Sequence, residues 1–234
     1  MLITIDGPSG VGKGTVARAV SYKLGFSYLD SGAMYRALAL YADLKNIKED
    51  DDLKLKKLLI DIHIQFVTND EGEDRVFLNT DDVTEDIRSN EISQLASKFA
   101  KIELVRNVLT EMQKRLVKNK NYITEGRDMG TYVFPDADYK FYLEADPIVR
   151  AERRSLQLTQ TLGMKFNPQK ILEEINQRDN LDKTRKICPL HPADDAIIID
   201  TTNLSVIDVV ENIINETKID KILVVKGDRI IKGN

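Results

Sequence analysis

A β-branched run, Leu2-Ile3-Thr4-Ile5, stops at a glycine-rich stretch, Gly7-Pro8-Ser9-Gly10-Val11-Gly12-Lys13-Gly14-Thr15. A helical pattern follows in Val16-Ala17-Arg18-Ala19-Val20, with Leu24 on its face and Gly25 as its stop. No other feature of the chain restricts the fold as much. Strand, glycine loop and helix in that order form a phosphate cradle: the glycines let backbone N–H groups turn inward, and the helix adds the positive end of its dipole. Lys13 adds a full charge. Similar short apolar runs recur at Ser27-Tyr28-Leu29, Tyr122-Ile123-Thr124, Lys140-Phe141-Tyr142-Leu143 and Ala196-Ile197-Ile198-Ile199, with helical patterns between most of them. Strands alternating with helices predict an α/β fold, a five-stranded parallel core sheet flanked by helices.

One segment breaks the alternation. Ile62-His63-Ile64-Gln65-Phe66-Val67 has strand periodicity, Asn69-Asp70-Glu71-Gly72 is a turn signal, and Arg75-Val76-Phe77-Leu78 is a second strand, with Val83-Thr84 as a short third. A small antiparallel insert is expected at about 61–86 within a domain spanning 1–218. After a helix at 206–214, Lys221-Ile222-Leu223-Val224-Val225, Gly227-Asp228 and Arg229-Ile230-Ile231 suggest a β-hairpin in an extension at 219–234.

The glycine loop departs from G-x-x-x-x-G-K-[ST] at one place. Gly14 stands where Ser or Thr is expected, so the hydroxyl that would meet magnesium is absent or displaced to Thr15. No Asn-Lys-x-Asp guanine signature occurs in the chain. The net charge of −4 over 234 residues argues against nucleic acid as a partner, so useful basic residues must be locally concentrated. Cys188 is the one cysteine, which excludes an intrachain disulfide and reads as a small apolar residue. With the loop reached by residue 7, no signal peptide is expected, and no apolar run approaches membrane length; the expectation is a cytoplasmic monomer.

Charged clusters follow the strands, where ligands gather in open parallel sheets. Asp30-Ser31-Gly32-Ala33-Met34-Tyr35-Arg36 offers a helix cap in Asp30 and a bidentate phosphate clamp in Arg36. Glu125-Gly126-Arg127-Asp128-Met129-Gly130 offers an acid that could orient magnesium waters and an Arg-Asp pair suited to a phosphate and a ribose. Arg150, Arg153 and Arg154 follow Asp146-Pro147, a helix start, and Arg150 and Arg154 share a face. Arg178, Asp182 and Arg185 at i, i+4 and i+7 also share one. Each cluster by itself also fits a solvated helix face or a charged turn.

Together, GPSGVGKGT, DSGAMYR, TEGRDMGTYVFPDA, RAERR and INQRDNLDKTR resemble, in order, the bacterial cytidylate kinases, P-loop nucleoside monophosphate kinases; the likeness runs from residue 2 to about 214 and leaves out the tail. The resemblance implies transfer of the γ-phosphoryl group of ATP, carried with Mg2+, to CMP or dCMP. It implies that Gly7, Pro8, Ser9, Gly10, Val11, Gly12, Lys13, Gly14 and Thr15 hold ATP. It implies that Ser31, Tyr35, Arg36, Arg127, Asp128, Arg178, Asp182 and Arg185 meet the acceptor's phosphate and ribose, and that Ser97 and Arg106 meet its cytosine ring. It also makes 61–86 an acceptor-binding insert and about 150–167 a helical lid. Its arginines Arg150, Arg153 and Arg154 would join Lys13 and Arg127 around the phosphates. Lys13 is expected to be an exposed ligand. No direct metal ligand is expected; Thr15, Asp30 and Glu125 would act through water. Ser97 and Arg106 lie on opposite faces of a straight helix, so a break is expected near Lys101 and Ile102. Two other readings fit the loop alone: a P-loop kinase for a sugar or shikimate-like acceptor, and a nucleotide-dependent binding or regulatory module.

Overall fold

The computed structural model describes residues 1–68, 74–118, 121–163 and 167–218. The extension at 219–234, with its expected hairpin, lies outside them. Strand β1 (Leu2–Asp6) leads into the glycine loop and helix α1 (Lys13–Leu24), which Gly25 ends in a left-handed cap. Strand β2 (Ser27–Asp30) passes directly into α2 (Ser31–Leu44), and Asp30 caps that helix by accepting from Ala33 N at 2.8 Å. Then come α3 (Asp52–Asp61), β3 (Ile64–Thr68), β4 (Asp74–Leu78) and the two-residue β5 (Asp81–Asp82), followed by α4 (Asn90–Phe99) and α5 (Glu103–Val117). Strand β6 (Tyr122–Gly126) ends in a π-helical turn at Met129–Val133. Beyond it lie β7 (Tyr139–Glu144), α6 (Pro147–Leu162), α7 (Pro168–Thr184), β8 (Ile197–Asp200) and α8 (Val206–Glu216).

The main sheet is five-stranded and parallel, in the order β2-β6-β1-β7-β8. Side chains alternate across it. Ile3, Ile5, Ile123, Phe141 and Leu143 face a core closed by Val16, Ala17 and Val20 of α1 and Val209, Val210 and Ile213 of α8. A second core gathers α2, α3, α4, α5 and the small sheet around Met34, Leu38, Leu55, Phe99 and Leu109. Helices α6 and α7 pack on each other with a much smaller apolar cluster, Ala151, Ile171 and Ile175.

The register places the site. Asp6 lies opposite Gly126 and Tyr142, and Asp30 lies opposite Glu125. β1, β2 and β6 therefore end at nearly one level, β7 runs two residues further, and the segments after them open on the same edge of the sheet.

The insert forms the three-stranded antiparallel sheet β3-β4-β5. Its third strand is Asp81–Asp82, not Val83-Thr84. The Thr84 hydroxyl accepts from Val76 N at 2.9 Å, so a side chain substitutes for the ladder bond that backbone pairing would have made. The break between Ser97 and Arg106 is present: α4 ends at Phe99 and α5 begins at Glu103.

Candidate active site

Gly7 must be glycine. Its φ is +150°, and a Cβ there would stand 2.2 Å from the Leu143 carbonyl oxygen, so only a bare backbone lets the loop cross the end of β7. Gly126 has a parallel role at the end of β6: a Cβ would meet Ser31 Oγ at 2.6 Å. In its absence the Ser31 hydroxyl reaches the Glu125 carbonyl at 2.6 Å and draws the start of α2 against the end of β6.

Lys13 does not sit in solvent. It is 5% exposed, and its ammonium donates to the Pro8 carbonyl at 2.7 Å, inside the ring of the loop. The expectation of an exposed lysine is corrected by the depth of the cradle. Burial first, then Arg127, holds its pKa below the ordinary amine range. Burial first, then Asp30, pushes the Glu125 carboxyl up, with Lys13 and Arg127 opposing. Thr15 is exposed at the start of α1. Asp30 is engaged twice, by Ala33 N and by Arg36 Nη2 at 2.9 Å. Glu125 meets Tyr28 Oη at 3.5 Å.

The cations form one group. Arg127 and Arg178 act on Lys13; Arg127 and Arg36 act on Arg178, whose pKa burial already lowers. Arg154, lowered first by burial, also feels Arg36. Lys13, Arg36, Arg127, Arg154 and Arg178 thus gather from five chain segments. Two buried acids lie behind the group, and Asp182 holds one of its members, Arg127. Asp182 accepts from Arg127 Nε at 2.9 Å and faces Arg185 Nη1 at 4.0 Å. Asp128 is ion-paired with Arg106 and, at 3.3 Å, with Arg185 Nη2. Arg185 also donates from Nε to the Cys188 carbonyl, and half-buried Cys188 takes a left-handed backbone, φ 51°, to present it.

The three arginines of α6 do not act as a set. Arg150 is buried and donates to Ser9 O, Ala145 O and Asp179. Arg153 caps the carbonyls of Thr201 and Thr202 before α8. Only Arg154 extends to the cationic group. The reason is positional: the first two turns of α6 abut the glycine loop and the segment after β8, so Arg150 and Arg153 fill backbone acceptors there.

Tyr35 lies under Arg106, whose guanidinium is 5.7 Å from the ring centre. Arg106 is 1% exposed and also donates to the Ala100 carbonyl at 3.2 Å, inside the α4–α5 break. Its Nε is buried with no hydrogen-bond partner among the described residues. The Ser97 hydroxyl, half-buried, donates to Ser93 O.

Two residues escaped the sequence reading. Asp6 accepts from Met129 N at 2.9 Å and Gly130 N at 2.7 Å, which ties the strand before the glycine loop to the turn after Asp128. Asp179 accepts from Ser9 N at 2.9 Å. Each adjoins a motif, Asp6 before Gly7 and Asp179 after Arg178, and that adjacency was the one available signal. Among the described residues no three His, Cys, Asp or Glu are grouped to hold a metal ion.

The sequence profile described as "Cytidylate kinase" matches residues 3–219. The chain belongs to the cytidylate kinase family. The cytidylate kinase of Carboxydothermus hydrogenoformans is 42% identical over 214 residues, covering 92% of this chain and 96% of that one. That of Haemophilus ducreyi is 47% identical over 209 residues, covering 89% and 92%. Among solved structures, a shikimate kinase from Bacteroides thetaiotaomicron superposes with a TM-score of 0.47 at 11% identity, over 94% of this chain and 99% of that one. Membership of the cytidylate kinase family makes the chain a kinase. No helix among the described residues is long and apolar enough to cross a membrane.

Proposed function

We propose that this chain transfers the γ-phosphoryl group of ATP to CMP or dCMP, giving ADP and CDP or dCDP. The observation that carries the reading is the placing of Arg127 and Arg178 beside Lys13, with Arg36 near Arg178 and Arg154 near Arg36. A donor nucleotide alone needs the glycine loop and its lysine. A second concentration of positive charge suits an acceptor that already bears a phosphate, and the likeness to named cytidylate kinases makes that acceptor CMP or dCMP.

In the reaction an oxygen of the acceptor's phosphate forms a bond to the γ-phosphorus while the bond from that phosphorus to the β–γ bridging oxygen breaks, and ADP leaves. The acceptor oxygen is already anionic, so no general base is required; positioning and charge neutralisation carry the catalysis. Lys13 and the loop amides hold the donor phosphates. Arg36, Arg127 and Arg178 hold the acceptor phosphate, and Arg154 approaches from the lid. Asp128 and Asp182 hold Arg127, Arg106 and Arg185 in orientation before either substrate arrives. ATP comes with Mg2+, which when bound spreads the charge of the β- and γ-phosphates. Asp30 is already engaged by Arg36 and Ala33, so Thr15 and Glu125 are the residues that would meet its water shell. Closure of the α6–α7 arm and of the β3-β4-β5 insert would exclude water as a competing acceptor.

An ADP-release assay over CMP, dCMP, UMP, AMP, shikimate and a hexose tests the reading. Rapid turnover confined to CMP and dCMP supports it. Turnover on shikimate or the hexose, or slow release with no acceptor preference, overturns it.

A further inference from the structure

The backbone of Ser9 in the glycine loop is gripped at both its N–H and its carbonyl. Its N–H donates to Asp179 Oδ1 at 2.9 Å, and its carbonyl accepts from Arg150 Nη1 at 2.8 Å. The same Nη1 donates to Asp179 Oδ2 at 2.5 Å and closes a ring of three residues drawn from the loop, α6 and α7. Arg150 Nε is held in turn by the Ala145 carbonyl at 3.1 Å. Both charged side chains are buried, at 5% and 9% exposure. The contact is close along its length: a Cβ at Gly10 would stand 3.3 Å from Ile175 Cδ1 of α7 and 3.4 Å from the Arg150 carbonyl.

Neither charged residue of the ring is free to meet substrate, yet Asp179 is flanked on α7 by groups that are. Arg178 precedes it in the chain, and Asp182, which holds Arg127, lies one turn further along. Among the described residues the apolar cluster between α6 and α7 is small, and polar bonds add to the arm's registration on the loop. A buried ion pair that also satisfies a peptide N–H and a carbonyl is rigid and direction-specific.

The geometry points to Arg150 and Asp179 as positioning residues that couple the two substrate sites. When donor phosphates order the glycine loop, the Ser9 backbone takes one orientation, the ring transmits it to α7, and Arg178 and Asp182 are set for the acceptor. By reciprocity the acceptor tightens the donor loop. The inference rests on the proposed ATP and CMP sites.

Isothermal titration of CMP into the full chain, with and without a non-hydrolysable ATP analogue and Mg2+, tests it. The unaltered chain should bind CMP about fivefold more tightly, or better, when the analogue is present. Asp179→Asn keeps an acceptor for Ser9 N–H but loses the ion pair; the enhancement should fall to within about twofold of none, with CMP affinity in the analogue's absence little changed. Arg150→Gln should do the same, and Glu173→Gln, exposed on the same helix, should leave the enhancement intact. Full enhancement in folded Asp179→Asn, or none in the unaltered chain, overturns the inference. Failure of both variants to fold would make the ring a folding element and also overturn it. If the acceptor panel returns a different substrate, the titration uses that one, so loss of the CMP reading and loss of coupling are separate results.

Discussion

Asp182 Oδ2 accepts a hydrogen bond from Arg127 Nε at 2.9 Å, and that bond joins the segment after β6 to helix α7 across 55 positions of chain. Burial alone would push the Asp182 carboxyl up, but Arg127, Arg178 and Arg185 more than offset it and hold its pKa below the ordinary value. The carboxylate is the counter-charge for three arginines at once. Asp182→Asn keeps the shape and removes the charge. We expect a loss of about 3 kcal/mol in stability, the scale for removing one partner of a buried pair. The KM for CMP should rise about tenfold while that for ATP changes little, because Arg127 and Arg178 lose their orientation. The sign with pH follows from the lowered value: the stabilisation is complete above the unfolded carboxylate's 3.8 and disappears as pH falls through the lower folded value. Steady-state kinetics in both substrates and denaturant melts check it; equal rises in both KM values would place Asp182 outside the acceptor side.

Lys13→Met separates chemistry from stability. Turnover should fall by about 10²–10³, the scale for removing one preorganised charge from a transferring phosphoryl group. Folding should not suffer at pH 6, since burial disfavours the ammonium and a methionine of similar length fills the space. With its folded pKa held below 10.5, Lys13 binds fewer protons folded than unfolded between the two values, so its contribution to stability rises with pH across that window. The methionine variant should lack that rise. Near-normal turnover would remove Lys13 from the reaction.

Asp6 behaves in the opposite sense. Burial raises its carboxyl from 3.8 to about 6, with the amides of Gly130 and Met129 opposing. The folded chain therefore binds the extra proton more readily than the unfolded one. The stabilisation from this group is complete below 3.8 and is lost as pH rises through about 6. A shift of about 2 units corresponds to about 3 kcal/mol. The carbon-13 shift of the Asp6 carboxyl should titrate with a midpoint near 6, and unfolding free energies from about pH 4 to 6.5 should fall in the unaltered chain relative to Asp6→Asn. A midpoint near 4 would sink the assignment.

The parts of this molecule that local pattern could reveal were those whose partners are near in sequence. β1, the glycine loop, α1 with its Gly25 stop, the Asp30 and Asp146 caps, and the two longer strands of the insert all follow from period and turn chemistry within a few residues. What was not legible depends on distant contacts. Ser9 meets Asp179 across 170 positions, and Asp6 meets Met129 across 123. Helical spacing placed Arg150 and Arg154 on one face correctly, but could not show that the first turn of α6 abuts the loop, so that Arg150 fills backbone acceptors while Arg154 reaches the cations. The burial of Lys13 is likewise a property of the closed loop, which residue types alone do not report.

We propose that base choice turns on Arg106. Cytosine presents an amino donor at position 4 and acceptors at N3 and O2; uracil reverses the polarity at position 4 and at N3. The α4–α5 break brings the two helices round a corner, and Arg106 is fixed in that corner by the Ala100 carbonyl and by Asp128, with Nε left unpaired among the described residues. A guanidinium held in this way can donate to N3 or O2 of cytosine. Against uracil it would face N3–H, and opposed donors in a closed pocket are costly. Arg106→Ala would also strip Asp128 of a buried partner, so Arg106→Lys is the sharper test: it keeps the positive charge beside Asp128 and loses the planar fork. We expect kcat/KM for CMP to fall by about 10–100-fold, the scale of one lost directional contact in a closed site. UMP should lose much less, which narrows the gap between the two. Measuring both acceptors on both proteins decides it: an unchanged CMP/UMP ratio in a folded variant would take Arg106 out of base recognition and leave it as the partner of Asp128 alone.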